Sequence, residues 1–580
     1  MRLGPGVTPG VFYTIFDNRL SSGSFERLFN QPLDMVTYMR SLIVSAFAVA
    51  AIAICILAMP SADAEDESIV SYQGMNFYVM PDSTDVKLIS VDEDAYVANL
   101  QIPKSFPVGS TTYDVVSILM ESVCSDVVTS IDFMGNDKLS EISDTAFECP
   151  NLAEFTGLGP SVNDKFVTEG GILYGISDTP GFRSIVRAPP AIDLTSYEVI
   201  NCDAIMPSAF NGCTKLQEIT FDPSVKLTEI PSYTFENCTS LSKIGYDPAD
   251  GYNHLPDTII LIRFNAFYGC SSLGNICMPE SLRIIEDFAF AGCGFERFHL
   301  NTGISYIEDR AFSGCINLTS FEYIFDQFYD TPGYAVIDGI LYSDGRIKTL
   351  VCYPAGKTGE TYTLNEKVTG ISRGAFSGTK YLKNFEVNTL LTAVDIFAFE
   401  SCTSLESVDL KGRVTTLDMC AFSDCVNLRT VNGMSGVVTI GESAFENCGI
   451  TSIDLPSSIK SLGGWAFSGS KLASITVPDA EVSMGTDVFL KCTGLKDITF
   501  EGDSFTLVPG SLNIGTEDSP AEVTVHIIRT ASIPSDACND GFTTVKIDKE
   551  GEHPYPYENL IGVFVCLLIL LGIIRIIKEV

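Results

Sequence analysis

Four stretches decide the fold: FAFESCTSLESVDL (397–410), CAFSDCVNLRTVNG (420–433), SAFENCGITSIDL (443–455) and WAFSGSKLASITV (465–477). Each opens on a variable residue and Ala-Phe. A Cys or Ser follows three places after the Phe. Three of the four close on an apolar-x-apolar triplet: Val408-Asp409-Leu410, Ile453-Asp454-Leu455 and Ile475-Thr476-Val477. That alternation predicts a short strand with one buried face. The middle residue of each triplet then points outward.

Outward from these four, the same block recurs along most of the chain. Its anchors are Phe147, Phe210, Phe235, Phe267, Phe290, Phe312, Phe376, Phe399, Phe422, Phe445, Phe467 and Phe489. From Phe376 onward their spacing is 23, 23, 23, 22 and 22 residues. A period this regular predicts a solenoid. Between anchors lies a second apolar stretch, such as LTEI (227–230), LRII (282–285), VTTL (414–417) or VVTI (437–440). It reads as a second extended segment. One coil of about 23 residues cannot bury its own apolar row, whereas stacked coils bury each Phe against the next. The spacing between stacked strands is about 4.8 Å.

The period, the A-F-x-x-C core and the L-x-x-I-x-L strand resemble BspA-type leucine-rich repeats, over about residues 120–505. The resemblance implies a mainly β leucine-rich-repeat solenoid with capping strands. Gly-Ile-Leu-Tyr occurs twice, in FVTEGGILYG (166–175) and YAVIDGILYS (334–343). Each copy lies in a long gap between anchors and resembles a hairpin insert of that family, expected near 166–190 and 334–356. Residues 65–119 are expected to form an N-terminal β cap and 506–548 a C-terminal cap, followed by a linker at 549–559.

The ends suggest an address. Residues 42–59, LIVSAFAVAAIAICILAM, follow Arg40 and precede Ala62 and Ala64 in small-x-small spacing. This pattern predicts a signal peptide over 39–64, cleaved after Ala64, with an uncleaved span as the alternative. Translation is expected to start at Met39 or Met35, which leaves 1–38 as a leader assigned in error. Residues 560–577 are apolar throughout except for Arg575, and Lys578 follows. They predict one C-terminal transmembrane helix of about 27 Å, with 578–580 as a cytoplasmic stub.

With 36 basic and 73 acidic residues, the net charge is −37. Such a chain repels phosphate backbones, so nucleic acid is excluded as a partner. Nine of the 18 cysteines hold one repeat position: Cys213, Cys238, Cys270, Cys293, Cys315, Cys402, Cys425, Cys448 and Cys492. Thr379 and Ser470 take it in two other coils. The position therefore reads as a buried thiol ladder. Disulfides between neighbouring coils stay open, because exported cysteines tend to pair.

The histidines (His254, His299, His526 and His553) are far apart, and no cysteine pair has metal-ligand spacing. No metal, cofactor or catalytic motif is present, so the chain is not expected to be an enzyme.

The positions the repeat leaves free form one outward row, in which the candidate binding face is Thr220, His299, Glu322, Glu386, Asp409, Asn432, Asp454, Thr476 and Thr499. Gly245 and Cys277 fall in the same row. Its acidic middle would suit a basic partner. The resemblance implies a membrane-anchored cell-surface protein that mediates adhesion through an extracellular protein or glycan ligand. A structural surface coat or spacer is the alternative.

Overall fold

A computed structural model describes residues 69–323, 333–343, 348–515, 521–527, 531–538 and 543–549. The expected leader, signal peptide, transmembrane helix and stub lie outside these residues, as do most of the linker and part of the C-terminal cap. No helix among the described residues is long and apolar enough to cross a membrane.

The described chain is a β-solenoid with two ladders of parallel strands and almost no helix; two three-residue 3-10 turns are its helical elements. The longer strands are the apolar-x-apolar segments. Thr361–Thr363, Asn384–Glu386, Ser407–Asp409 and Thr430–Asn432 pair in order, all parallel. The second apolar stretches make the other ladder. There Ala393–Val394, Thr416–Leu417, Thr439–Ile440, Ser461–Leu462, Val482–Met484 and Phe505–Leu507 form six strands in chain order. The even period keeps like residues on like, so each Ile or Val meets its counterpart one coil away.

The anchor phenylalanines fill the space between the ladders. Rings 376, 399, 422, 445, 467 and 489 stack in one column with centroids 4.4–6.0 Å apart. A second column runs through Phe210, Phe235, Phe267, Phe290 and Phe312. Burying each ring contributes about 1.5–3 kcal/mol.

The ladder cysteines are free thiols. Eight of them donate to the carbonyl oxygen of the Phe one coil earlier, at 2.9–3.1 Å. The ninth, Cys213, faces Pro189 O at 3.5 Å. Where Thr379 and Ser470 take the position, their hydroxyls instead contact the sulfur of the next coil's cysteine, Cys402 at 3.1 Å and Cys492 at 3.3 Å.

Turns close each coil on the Phe side. The residues two before and two after the Phe have positive φ, as at Cys420 (53°) and Asp424 (59°) or Trp465 (54°) and Gly469 (67°). Left-handed backbone bends the chain tightly enough to return to the next strand. At the later of the two sites Gly is the least strained residue.

Both Gly-Ile-Leu-Tyr segments lie in antiparallel hairpins, Phe166–Glu169 with Ile172–Ile176 and Tyr334–Ile337 with Ile340–Ser343. Their turns, Gly170-Gly171 and Asp338-Gly339, have φ positive at both residues, as a tight two-residue hairpin requires. Each turn docks on the long strand before it: Phe155 N–H donates to Gly171 O and Phe321 N–H to Gly339 O, both 2.9 Å. The third strand of each insert, Arg183–Arg187 or Thr349–Cys352, then pairs parallel with the short-strand ladder.

These hairpins partition the core. Leu173 packs with the N-terminal cluster, while Ile172 and Tyr174 pack with the central one. Likewise Leu341 belongs to the central cluster, and Ile340 and Tyr342 to the C-terminal one. A strand buried on both faces sends alternate side chains into different cores.

Candidate functional site

The outward row is real as a geometric feature, but it is not one continuous acidic stripe. Strand register divides it into blocks. Thr220 lies beside Glu198, and Glu386, Asp409 and Asn432 lie side by side. Asp454, Thr476, Thr499 and His526 form a third block. Between the first two, His299 is beside Glu322. Thr220, Asn432, Asp454 and Thr476 are exposed, and the other five predicted face residues are half-buried.

Lys411, two residues beyond Asp409, reaches back over the row. Its Nζ is 2.8 Å from Glu386 Oε1 and 3.0 Å from Asp409 Oδ2. The two carboxylates push the Lys411 ammonium pKa up. Burial opposes ionisation of Asp409, but the Lys411 backbone N–H and ammonium hold its carboxyl below the usual range. The acidic centre expected for a basic partner is therefore partly compensated within the chain, one lysine being shared by two carboxylates. Glu322 Oε2 lies 2.6 Å from His299 Nε2, a buried nitrogen whose contact lacks hydrogen-bond geometry. The sequence signal for Lys411 was its place in the turn after the strand, where a long basic side chain can fold back.

The chain matches the family described as BspA type Leucine rich repeat region in six copies, over residues 192–249, 252–329, 355–464 and 421–509. Together these cover half of the sequence. The chain belongs to the BspA-type leucine-rich repeat family. Three solved structures are similar to this BspA-type chain. A leucine rich cell surface protein from Faecalibacterium prausnitzii shares 21% identity, over 76% of this chain and 96% of its own, with a TM-score of 0.42. The pneumococcal vaccine antigen PcpA shares 17%, over 84% and 99%, at 0.36. A leucine-rich repeat protein from Eubacterium ventriosum shares 19%, over 59% and 91%, at 0.45. No curated protein matches the chain.

Two clusters in this BspA-type solenoid were invisible in its sequence. His254 and His299 are 45 positions apart, yet the ladder places them two strands apart with Cys277 between. The histidines expected to be scattered are thus partly gathered. The second cluster lies on the turn face. The Arg310 guanidinium carbon is 4.3 Å from the ring centroids of both Phe288 and Phe397. Glu400 Oε2 is 3.4 Å from Arg310 Nη2. Beside it Asp287 keeps one carboxylate oxygen buried without a hydrogen-bond partner. Burial pushes the Asp287 carboxyl up to about 7; Arg310 opposes the rise and Glu308 adds to it.

Proposed function

We propose that this chain is a cell-surface binding protein, not an enzyme. It is exported by the segment 39–64 and held at the membrane by 560–577. It engages an extracellular protein through the outward face of the long-strand ladder, and adhesion is the outcome. One observation carries the reading: polar side chains recur on the outward face of the long parallel strands, in register within each block. Leucine-rich-repeat solenoids use such extended surfaces to bind protein partners. The apolar character of 42–59 and 560–577 supports the membrane part.

Glu386 and Asp409 are poor test positions, because Lys411 compensates them. Asp454 and Thr476 are exposed neighbours with strand register between them. The experiment is binding of the purified protein to a panel of matrix proteins, glycans and intact cells, with Asp454→Lys/Thr476→Lys beside it. Saturable binding that drops at least tenfold in the double variant, with an unchanged circular dichroism spectrum, is the expected result. Binding to no surface in the panel would favour a coat or spacer instead.

A further inference from the structure

The sequence holds two Asn-x-Thr tripeptides that the repeat does not call for, Asn237-Cys238-Thr239 and Asn317-Leu318-Thr319. Asn followed two places later by Thr, with no Pro between, is the acceptor pattern for an N-linked glycan. In both tripeptides the middle residue is fully buried, while the Asn and the Thr are exposed. Their surroundings in the coil set them apart.

Asn237 holds the turn position two residues after an anchor Phe. In the six coils from Phe210 to Phe376 the other five carry glycine there: Gly212, Gly269, Gly292, Gly314 and Gly378. All six have left-handed φ, 56° at Asn237 and 68–76° at the glycines. Asn tolerates this conformation better than most residues, but glycine is the less strained choice. Asn237 is thus the one side chain on an otherwise bare track along these six turns. The glycine beside it leaves the room, since a Cβ on Gly269 would stand 2.6 Å from Asn237 Oδ1. Among the described residues neither the Asn237 amide nitrogen nor the Thr239 hydroxyl has a hydrogen-bond partner. Asn447, at the same turn position in a later coil, is different. Its Nδ2 donates to Asp424 Oδ1 at 2.8 Å, and the residue two places on is Gly449.

Asn317 is engaged on every side. Its Nδ2 donates to Gly294 O at 3.4 Å, and Lys380 Nζ donates to its Oδ1 at 3.2 Å. The Thr319 hydroxyl donates to Glu296 O at 2.9 Å. The chain returning from the second hairpin insert lies against its backbone, where a Cβ on Gly356 would stand 2.8 Å from the Asn317 carbonyl carbon.

We propose that Asn237 is the N-glycosylation site of this chain and that Asn317 stays bare. The proposal rests on the export reading above, because the sugar donor, a lipid-linked sugar phosphate, is met on the far side of the membrane. In the transfer the Asn237 Nδ2 gives up one proton to the transferase's base and bonds to the anomeric carbon. The carbon–oxygen bond to phosphate breaks, and the lipid phosphate leaves with its electron pair. No oxidation or reduction is involved. The carbohydrate then extends from the turn into solvent and displaces no contact of the coil. At Asn317 the same attachment would compete with the contacts to Gly294 and Lys380.

The test is peptide mass spectrometry of the full-length protein purified from the cells that make it. External protease added to the same cells, kept intact, reads export separately. The expected result is a carbohydrate mass on the peptide that holds Asn237 and none on the peptide that holds Asn317. Thr239→Ala should remove the carbohydrate, Thr239→Ser should retain it, and Asn317→Gln should leave it unchanged. Asn237→Gly should remove it with the circular dichroism spectrum unaltered. A bare Asn237 in protein that the protease reaches overturns this proposal and leaves the export reading standing. A bare Asn237 in protein that the protease does not reach overturns both. Equal carbohydrate on Asn317 also overturns it, as does carbohydrate that persists in Thr239→Ala.

Discussion

The thiol of Cys425 donates to the backbone carbonyl of Phe399, 3.1 Å away in the preceding coil. This contact gives the repeat cysteine a structural role without oxidation. The carbonyl belongs to a tight turn and is buried with the Phe column. The same carbonyl also accepts the Cys402 backbone N–H at 3.2 Å, so loss of the thiol leaves it one donor of two. Cys425→Ser keeps a donor of similar size at a position Ser470 occupies in another coil, and should cost about 1 kcal/mol or less. Cys425→Val removes one of the two donors and adds a branch to a packed site, and should cost about 1–3 kcal/mol, chiefly from overpacking. Denaturant melts of the two variants check the difference; equal losses would mean that size alone matters. Under denaturing, non-reducing conditions all nine ladder thiols should titrate as free.

Phe422 is fully buried and stacked between Phe399 and Phe445, at 5.1 and 5.4 Å. Phe422→Ala opens a cavity in the column and should destabilise by about 3–5 kcal/mol. Asp454→Ser, on the exposed row, should change stability by less than about 0.5 kcal/mol. Urea unfolding of both variants would reveal any error in the inward-outward assignment.

Lys491 and Gly469 hold the same turn position in successive coils, with φ of 63° and 67°. Left-handed backbone costs a non-glycine residue about 1–2 kcal/mol, and glycine loses part of that gain to its flexible unfolded state. Lys491→Gly should therefore stabilise by about 0.5–1 kcal/mol. Gly469→Ala should destabilise by more than about 1 kcal/mol, since a Cβ there also runs into Asn447 Oδ1. Thermal melts would give opposite signs for the two changes.

Asp287 makes stability depend on pH. An unfolded aspartate loses its proton near pH 4, whereas the buried one keeps it up to about 7. Across that window the unfolded chain binds fewer protons than the folded chain, so this residue's contribution to stability falls as pH rises. Asp287→Asn removes the dependence. At pH 8 it should stabilise by about 1–2 kcal/mol after allowance for solvent screening, with little effect near pH 4. Denaturant midpoints at the two pH values measure this directly.

The hairpin inserts show how far sequence and structure agree. Gly-Ile-Leu-Tyr and the flanking turn pairs announced a hairpin in each long gap. What they could not announce is the bond that follows. Tyr174 Oη is 3.1 Å from Tyr197 Oη, and Tyr342 Oη is 2.8 Å from Tyr362 Oη. The same contact closes both inserts, although the two partners are 23 residues apart in one case and 20 in the other.

The sequence by itself determined the coil: its length, its Phe and Cys columns, its two strands and the side of each strand that faces out. These follow from local periodicity, since alternation and a fixed 22–23-residue spacing act within a single coil and repeat. The tertiary structure decided which outward residues meet. Lys411 reaches both Glu386 and Asp409, offsetting one of their two charges, because a turn folds it back over the strand. His254 and His299 approach Cys277 because an irregular coil of greater length still delivers its last residues into strict parallel register. Both depend on the path of a loop and on stacking between coils, and neither is written in the period of the repeat.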